Sequence, residues 1–179
     1  MKGGRESTGR MRWIWIDRFE EFESGRRAVA IKNVSLTEEY LHDHFPGYPV
    51  MPPALLIEAM AQTGGILVGE ARNFREKVIL AKITQAVFYQ EARPGDQLRL
   101  EAVLENLTDE AATIHGTIRC GAQHVADIKL MFSHIDKNRS GVEFPEENFV
   151  FDNGSFLSLL RAYRLGGDRT AGRSEARGG

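Results

Sequence analysis

Residues 44–69, HFPGYPVMPPALLIEAMAQTGGILVG, decide how the rest of the chain must be arranged. The second half, residues 53–69, has the length of a helix and is apolar or small on nearly every side, interrupted only by Glu58, Gln62 and Thr63. A helix that is apolar all round is a buried helix. It falls short of the unbroken run of roughly twenty apolar residues that a membrane span requires, and strand-like segments follow it, so the pattern predicts a helix wrapped by a sheet. Glu58 is then expected inside a core, where an unpartnered ionised carboxyl is costly and is normally paired, hydrogen-bonded or kept protonated. A carboxyl kept protonated suits a general acid.

The first half supplies the complement. His44 opens a run containing Pro46, Gly47, Pro49, Pro52 and Pro53, which can be neither helix nor interior strand. It reads as a stiff loop that delivers His44 to a fixed place. A histidine titrates near neutrality, and beside a protonated carboxyl it completes a base and acid pair able to take a proton from one carbon and give one to a leaving hydroxyl. The blander readings are a solvated loop histidine and a structurally satisfied carboxyl. His42 competes with His44 for the base role but points to nothing beyond a solvated position.

HFPGYPVMP followed by LLIEAMAQ resembles the active-site signature of the hotdog-fold 3-hydroxyacyl-acyl carrier protein dehydratases of the FabA/FabZ family, and AVFYQEARPGDQL, residues 86–98, is similar to that family's sheet-entry segment. The resemblance covers roughly residues 12–135. It implies an α+β hotdog fold, a long central helix wrapped by an antiparallel sheet of about five to six strands. It also implies dehydration of a 3-hydroxyacyl thioester in fatty acid or related acyl chain synthesis, with His44 as the base at C2 and Glu58 as the acid that assists loss of the C3 hydroxyl. No cofactor and no metal are implied. The implied partners are an acyl carrier protein bearing a 3-hydroxyacyl phosphopantetheine and a second copy of the chain, since in the family the histidine and glutamate of one site come from different subunits. A trimer of such dimers is the further assembly. Gly47 and Val50 of the signature are carried over as substrate-positioning residues, and Gln62, one helical turn after Glu58, is placed to hold that carboxyl or a water.

One departure stands out. Where the family has glycine at the start of the helix, this chain has Pro53, which lacks the backbone N–H that the glycine gives to the thioester carbonyl. The N–H of Ala54, still in the free first turn, is the candidate replacement. The alternatives are a non-catalytic acyl-binding hotdog module disabled by Pro53, and a hotdog acyl thioesterase in which Glu58 activates water.

Elsewhere the patterns are those of strands. From Trp13 the chain reads as a hairpin turning at Ser24-Gly25, with residues 26–35 alternating, and Thr37 suggests a capped helical turn before the His44 loop. Gly64-Gly65 weakens the helix locally and calls for close approach of another backbone. A strand over residues 79–90 and three more follow, with inward sets Leu98, Leu100, Ala102 and Leu104, then Ile114, Gly116, Ile118 and Cys120, then Ala126, Ile128, Leu130 and Phe132. Residues 1–11 read as a disordered leader without an apolar core. In residues 136–165 an apparent calcium loop is spoiled by Glu143 and Pro145, leaving a polar turn, and a short amphipathic helix capped by Asn153 places Phe156, Leu160 and Tyr163 on one face. Residues 166–179 read as a disordered tail.

A net charge of −2 over 179 residues argues against a nucleic-acid binder. The single cysteine, Cys120, excludes an internal disulfide, suits a cytoplasmic protein and is expected as a small buried residue. His115, His124 and His134 lack metal-ligand spacing. Arg72, Arg75, Lys77, Lys82 and Arg93 are the basic residues available to dock an acidic carrier protein, with a solvated charged face as the alternative.

Overall fold

The computed structural model of the protein describes residues 14–135, 158 and 160–163. The elements run β1 (Arg18–Glu23), β2 (Arg27–Asn33), α1 (Tyr40–Asp43), α2 (Pro53–Ala71), β3 (Lys77–Phe88), β4 (Gln97–Leu107), β5 (Ala111–Cys120) and β6 (Gln123–Ile135). All pairings are antiparallel, in one six-stranded sheet of order β1-β2-β4-β5-β6-β3. Helix α2 packs against β2, β4, β5, β6 and β3, so the sheet curls around it. This is the α+β hotdog arrangement implied by the sequence.

The inward set comes from the alternation of β4 to β6: Leu98, Leu100 and Ala102, then Ala112, Ile114 and Ile118, then Ala126, Ile128, Leu130 and Phe132, all within 2 % of full burial. They meet Met60, Ile66, Leu67 and Val68 of α2. β2 departs from the alternating expectation, because residues 28–32 are buried on both faces. On its outer face Val29 is flanked across the strands by Glu21 and Glu101. There Arg27 and Arg99 each bridge Glu21 and Glu101, roofing the strand with ion pairs. The two guanidinium groups, Arg27 first, hold the Glu21 carboxyl below the usual carboxylate range.

Three local expectations change. Helix α1 begins after Glu39 with no side-chain cap, while Thr37 bonds instead to Ser35. At Gly64 the close neighbour is a side chain, not a backbone: a Cβ built there lies 2.5 Å from Ile114 Cδ1 and 3.4 Å from Phe132 Cε2. Cys120 is half-buried, its thiol pushed up by burial first and by Asp96 second. The leader, the polar turn, Asn153, Phe156 and the tail lie outside the described residues. Residues 158 and 160–163 are helical, with Leu160 in the core and the Tyr163 hydroxyl accepting the Phe22 N–H at 3.2 Å, so this piece packs on β1.

Gly64 gives a direct test of the helix-to-sheet fit. Gly64→Ala is expected to cost about 1–3 kcal/mol of overpacking, offset by about 1 kcal/mol of helix propensity. Ile114→Val removes the Cδ1 atom in the way, so the double variant should lose less stability than the two single variants summed, as read by chemical denaturation. Additive losses would mean that the helix relaxes away from β5.

Candidate active site

The loop between the helices is built around a tight turn. Phe45 and Tyr48 exchange backbone hydrogen bonds of 3.0 and 2.8 Å across Pro46-Gly47. Proline followed by a glycine at φ +77° is the composition of a type II turn, in which the third residue needs a left-handed backbone. Gly47 therefore shapes the loop and is exposed at its tip. The Val50 N–H closes the loop onto the His44 carbonyl at 2.9 Å. His44 is half-buried, and its Nδ1 lies 2.9 Å from the Val50 carbonyl oxygen. A carbonyl only accepts, so Nδ1 carries the proton of the neutral ring and the lone pair sits on Nε2. Val50 thus orients the histidine through its backbone.

The stem of this loop is anchored from behind. Glu38 accepts from the buried Lys32, from the Tyr40 hydroxyl at 2.9 Å and from the Ser35 amide at 3.2 Å. Burial first, then Glu38, pushes the Tyr40 phenol above its ordinary value. His42 is exposed and bonds to the Leu36 carbonyl at 3.1 Å, apart from the cavity.

His44 lines a cavity of about 420 Å³ with Val50, Met51, Pro53, Leu56 and Phe88, and with the segment from Tyr89 to Ala92. Glu58 is not in its wall. The expectation that Glu58 is sunk in the core fails within one chain: the sheet covers α2 from Ala59 onward, whereas Pro53, Ala54 and Glu58 are exposed. Ala54, Glu58 and Gln62 follow one another at four-residue spacing on one face. The buried Gln62 donates to Glu58 Oε1 at 2.9 Å and accepts the Trp15 N–H at 2.8 Å, so Glu58 is oriented by β1's approach as well as by its own helix. One chain therefore brings His44 and Val50 together at a cavity, and Ala54 and Glu58 together on an open helix face, with the buried Gln62 one turn behind them.

The basic residues do not form one patch. Lys77 is buried, which removes it from any exposed docking set. Arg72 is engaged by Asp109 at 3.0 Å and by the Thr108 carbonyl at 2.7 Å, because the end of α2 lies against the β4–β5 turn. Arg93 is tied to Glu91 beside the His44 loop, at the other end of a helix about 28 Å long. Of the five, Arg75 and Lys82 alone are exposed and carry no side-chain ion pair or hydrogen bond among the described residues. Among the described residues no group of three or more His, Cys, Asp or Glu is arranged to hold a metal. No helix among them is long and apolar enough to cross a membrane.

The family model of the FabA-like domain matches residues 9–129. The chain belongs to the FabA-like family. It is 43% identical over 122 residues to the 3-hydroxyacyl-[acyl-carrier-protein] dehydratase FabZ of Pelotomaculum thermopropionicum, covering 68% of this chain and 87% of that protein. The FabZ of Halalkalibacterium halodurans is 38% identical over 122 residues with the same coverage. Among solved structures, the dehydratase heterocomplex ApeI:P of Xenorhabdus doucetiae shares the fold at a TM-score of 0.58 and 18% identity, over 69% of this chain and 84% of that one. A thioesterase of Haemophilus influenzae does so at 0.54 and 15%, over 68% and 80%. The FabA-like match ends at residue 129, within β6, whose remaining residues continue the same sheet.

Proposed function

We propose that the chain dehydrates 3-hydroxyacyl thioesters carried on acyl carrier protein to trans-2-enoyl thioesters, in fatty acid synthesis in the cytoplasm. The observation that carries the mechanism is the free Nε2 of a cavity-lining His44 whose Nδ1–H is spent on Val50. Nε2 takes the proton from C2. The electrons of that C–H bond become the C2–C3 double bond as the C3–O bond breaks, and Glu58, acting as the general acid, delivers a proton to the departing hydroxyl so that water leaves. The Ala54 N–H, at the positive end of α2, stabilises the charge that builds on the thioester oxygen. An elimination changes no oxidation level overall and calls for no redox cofactor.

The site is completed by a second copy. Two features of one chain support a dimer: the open positions in the first turns of α2, Glu58 among them, and β3, a sheet edge twelve residues long whose residues 81–85 are exposed and include the apolar Ile83 at 45 %. A long edge strand left open is an aggregation hazard, and pairing it with its own copy removes the hazard. The same pairing would bring the open face of α2 toward a partner's His44 loop.

Mixing the protein with a 3-hydroxyacyl carrier substrate tests the reading. A rising conjugated enoyl absorbance is expected. Release of free thiol would instead make it a thioesterase, and binding without turnover would make it an acyl-binding module.

A further inference from the structure

The loop that carries His44 is shaped by its own backbone rungs, but those rungs fix only its internal form. Its place on the sheet comes from two ties to the segment between β3 and β4. At the base, the Met51 N–H donates to the Ala92 carbonyl at 2.8 Å. At the tip, the Tyr48 hydroxyl donates to Glu91 Oε2 at 2.7 Å, across 43 residues of sequence. Arg93 closes the second tie: its guanidinium lies 4.5 Å from the Tyr48 ring centroid, donates to Glu91 Oε2 at 2.8 Å and also donates to the Tyr48 hydroxyl.

We propose that Tyr48, Glu91 and Arg93 form a clasp that holds the His44 loop in its working position, and that this positioning, not carrier docking, is the part Arg93 plays. The inference rests on the reading of His44 as the base. Three observations support it. The clasp is a poor investment for folding, since Glu91 and Arg93 are each 52 % exposed in their side chains and Tyr48 is 48 % exposed, and exposed ion pairs return little stability. Its geometric leverage is large, because Tyr48 shares its turn with Phe45, whose ring stacks on the His44 imidazole at 4.2 Å. Glu91 also forms part of the wall of the cavity that His44 lines, so the clasp sits at the reacting space. Hydrogen bonding to Arg93, and next to Tyr48, holds the Glu91 carboxyl below its ordinary range, which keeps it an acceptor at neutral pH.

The test uses the intact protein and a carrier-bound 3-hydroxyacyl substrate. Tyr48→Phe, Glu91→Ala and Arg93→Ala are each expected to lower kcat about tenfold through a displaced base, with KM changed by less than about threefold and the unfolding midpoint nearly unmoved. Tyr48→Phe combined with Glu91→Ala should be no worse than either alone, since both break one link, and Glu91→Gln, which keeps an acceptor, should recover most of the rate. A higher KM for carrier-bound substrate in Arg93→Ala, with a short thioester mimic spared and kcat unchanged in Tyr48→Phe, would overturn the clasp in favour of docking. Full activity in His44→Ala would instead remove the base assignment itself, a result separable from wild-type kcat in the clasp variants alone.

Discussion

A mixture of His44→Ala and Glu58→Ala chains is expected to recover turnover that neither variant shows alone. Each variant by itself loses a general base or a general acid, an effect of about 10²–10⁴ in rate. Within one chain the His44 cavity has no Glu58 in its wall, and Glu58 stands exposed on the uncovered face of α2. If a dimer joins the histidine of one protomer to the glutamate of the other, a hybrid dimer holds one site with both groups intact and one with neither. Random reassortment makes about half of the dimers hybrids, each with half of its sites working, so about a quarter of the native rate should return. Subunit exchange is verified by mass-labelling one variant. Exchange without recovery would place both groups of a site in one protomer.

The parts of this arrangement differ in how legible they were from sequence, for physical reasons. The inward alternation of β4, β5 and β6 and the greasy α2 are local patterns with periods that sequence displays directly, and they sufficed for a helix wrapped by a sheet. The His44 loop was equally plain, because Pro46 and Gly47 constrain the backbone by their own chemistry. Glu58 was misplaced because a helix apolar on every side implies burial without saying by what; the first turns of that helix keep Pro53, Ala54 and Glu58 exposed within one chain. The burial of β2 on both faces was hidden as well, since its outer cover is made of Arg27 and Arg99, whose pairing with Glu21 and Glu101 joins strands far apart in sequence. The same is true of the clasp: Tyr48 and Glu91 carry no joint signal until the fold brings them together. Lys77 shows the converse error, a lysine counted as surface by type and buried by its place at the start of β3.

The proline at the head of α2 leads to the other large effect. Pro52 and Pro53 have no N–H, and the amides of Leu55 and Leu56 are both spent on the Pro52 carbonyl, at 2.9 and 3.3 Å. That leaves the Ala54 amide as the first-turn donor that an incoming oxygen can use, on an exposed residue one turn before Glu58 on the same face. If Ala54 already serves the thioester oxygen, Pro53→Gly adds a donor where none is needed, and kcat should change by less than about threefold. Ala54→Pro removes the donor itself and should cost about a hundredfold or more in kcat. A proline at that position lies within the first turn and breaks no hydrogen bond inside the helix, so far-ultraviolet circular dichroism should stay close to native. A hundredfold rise in kcat on Pro53→Gly would reverse the argument: proline would then have starved the site of its donor, and the Ala54 amide would be pointing past the substrate.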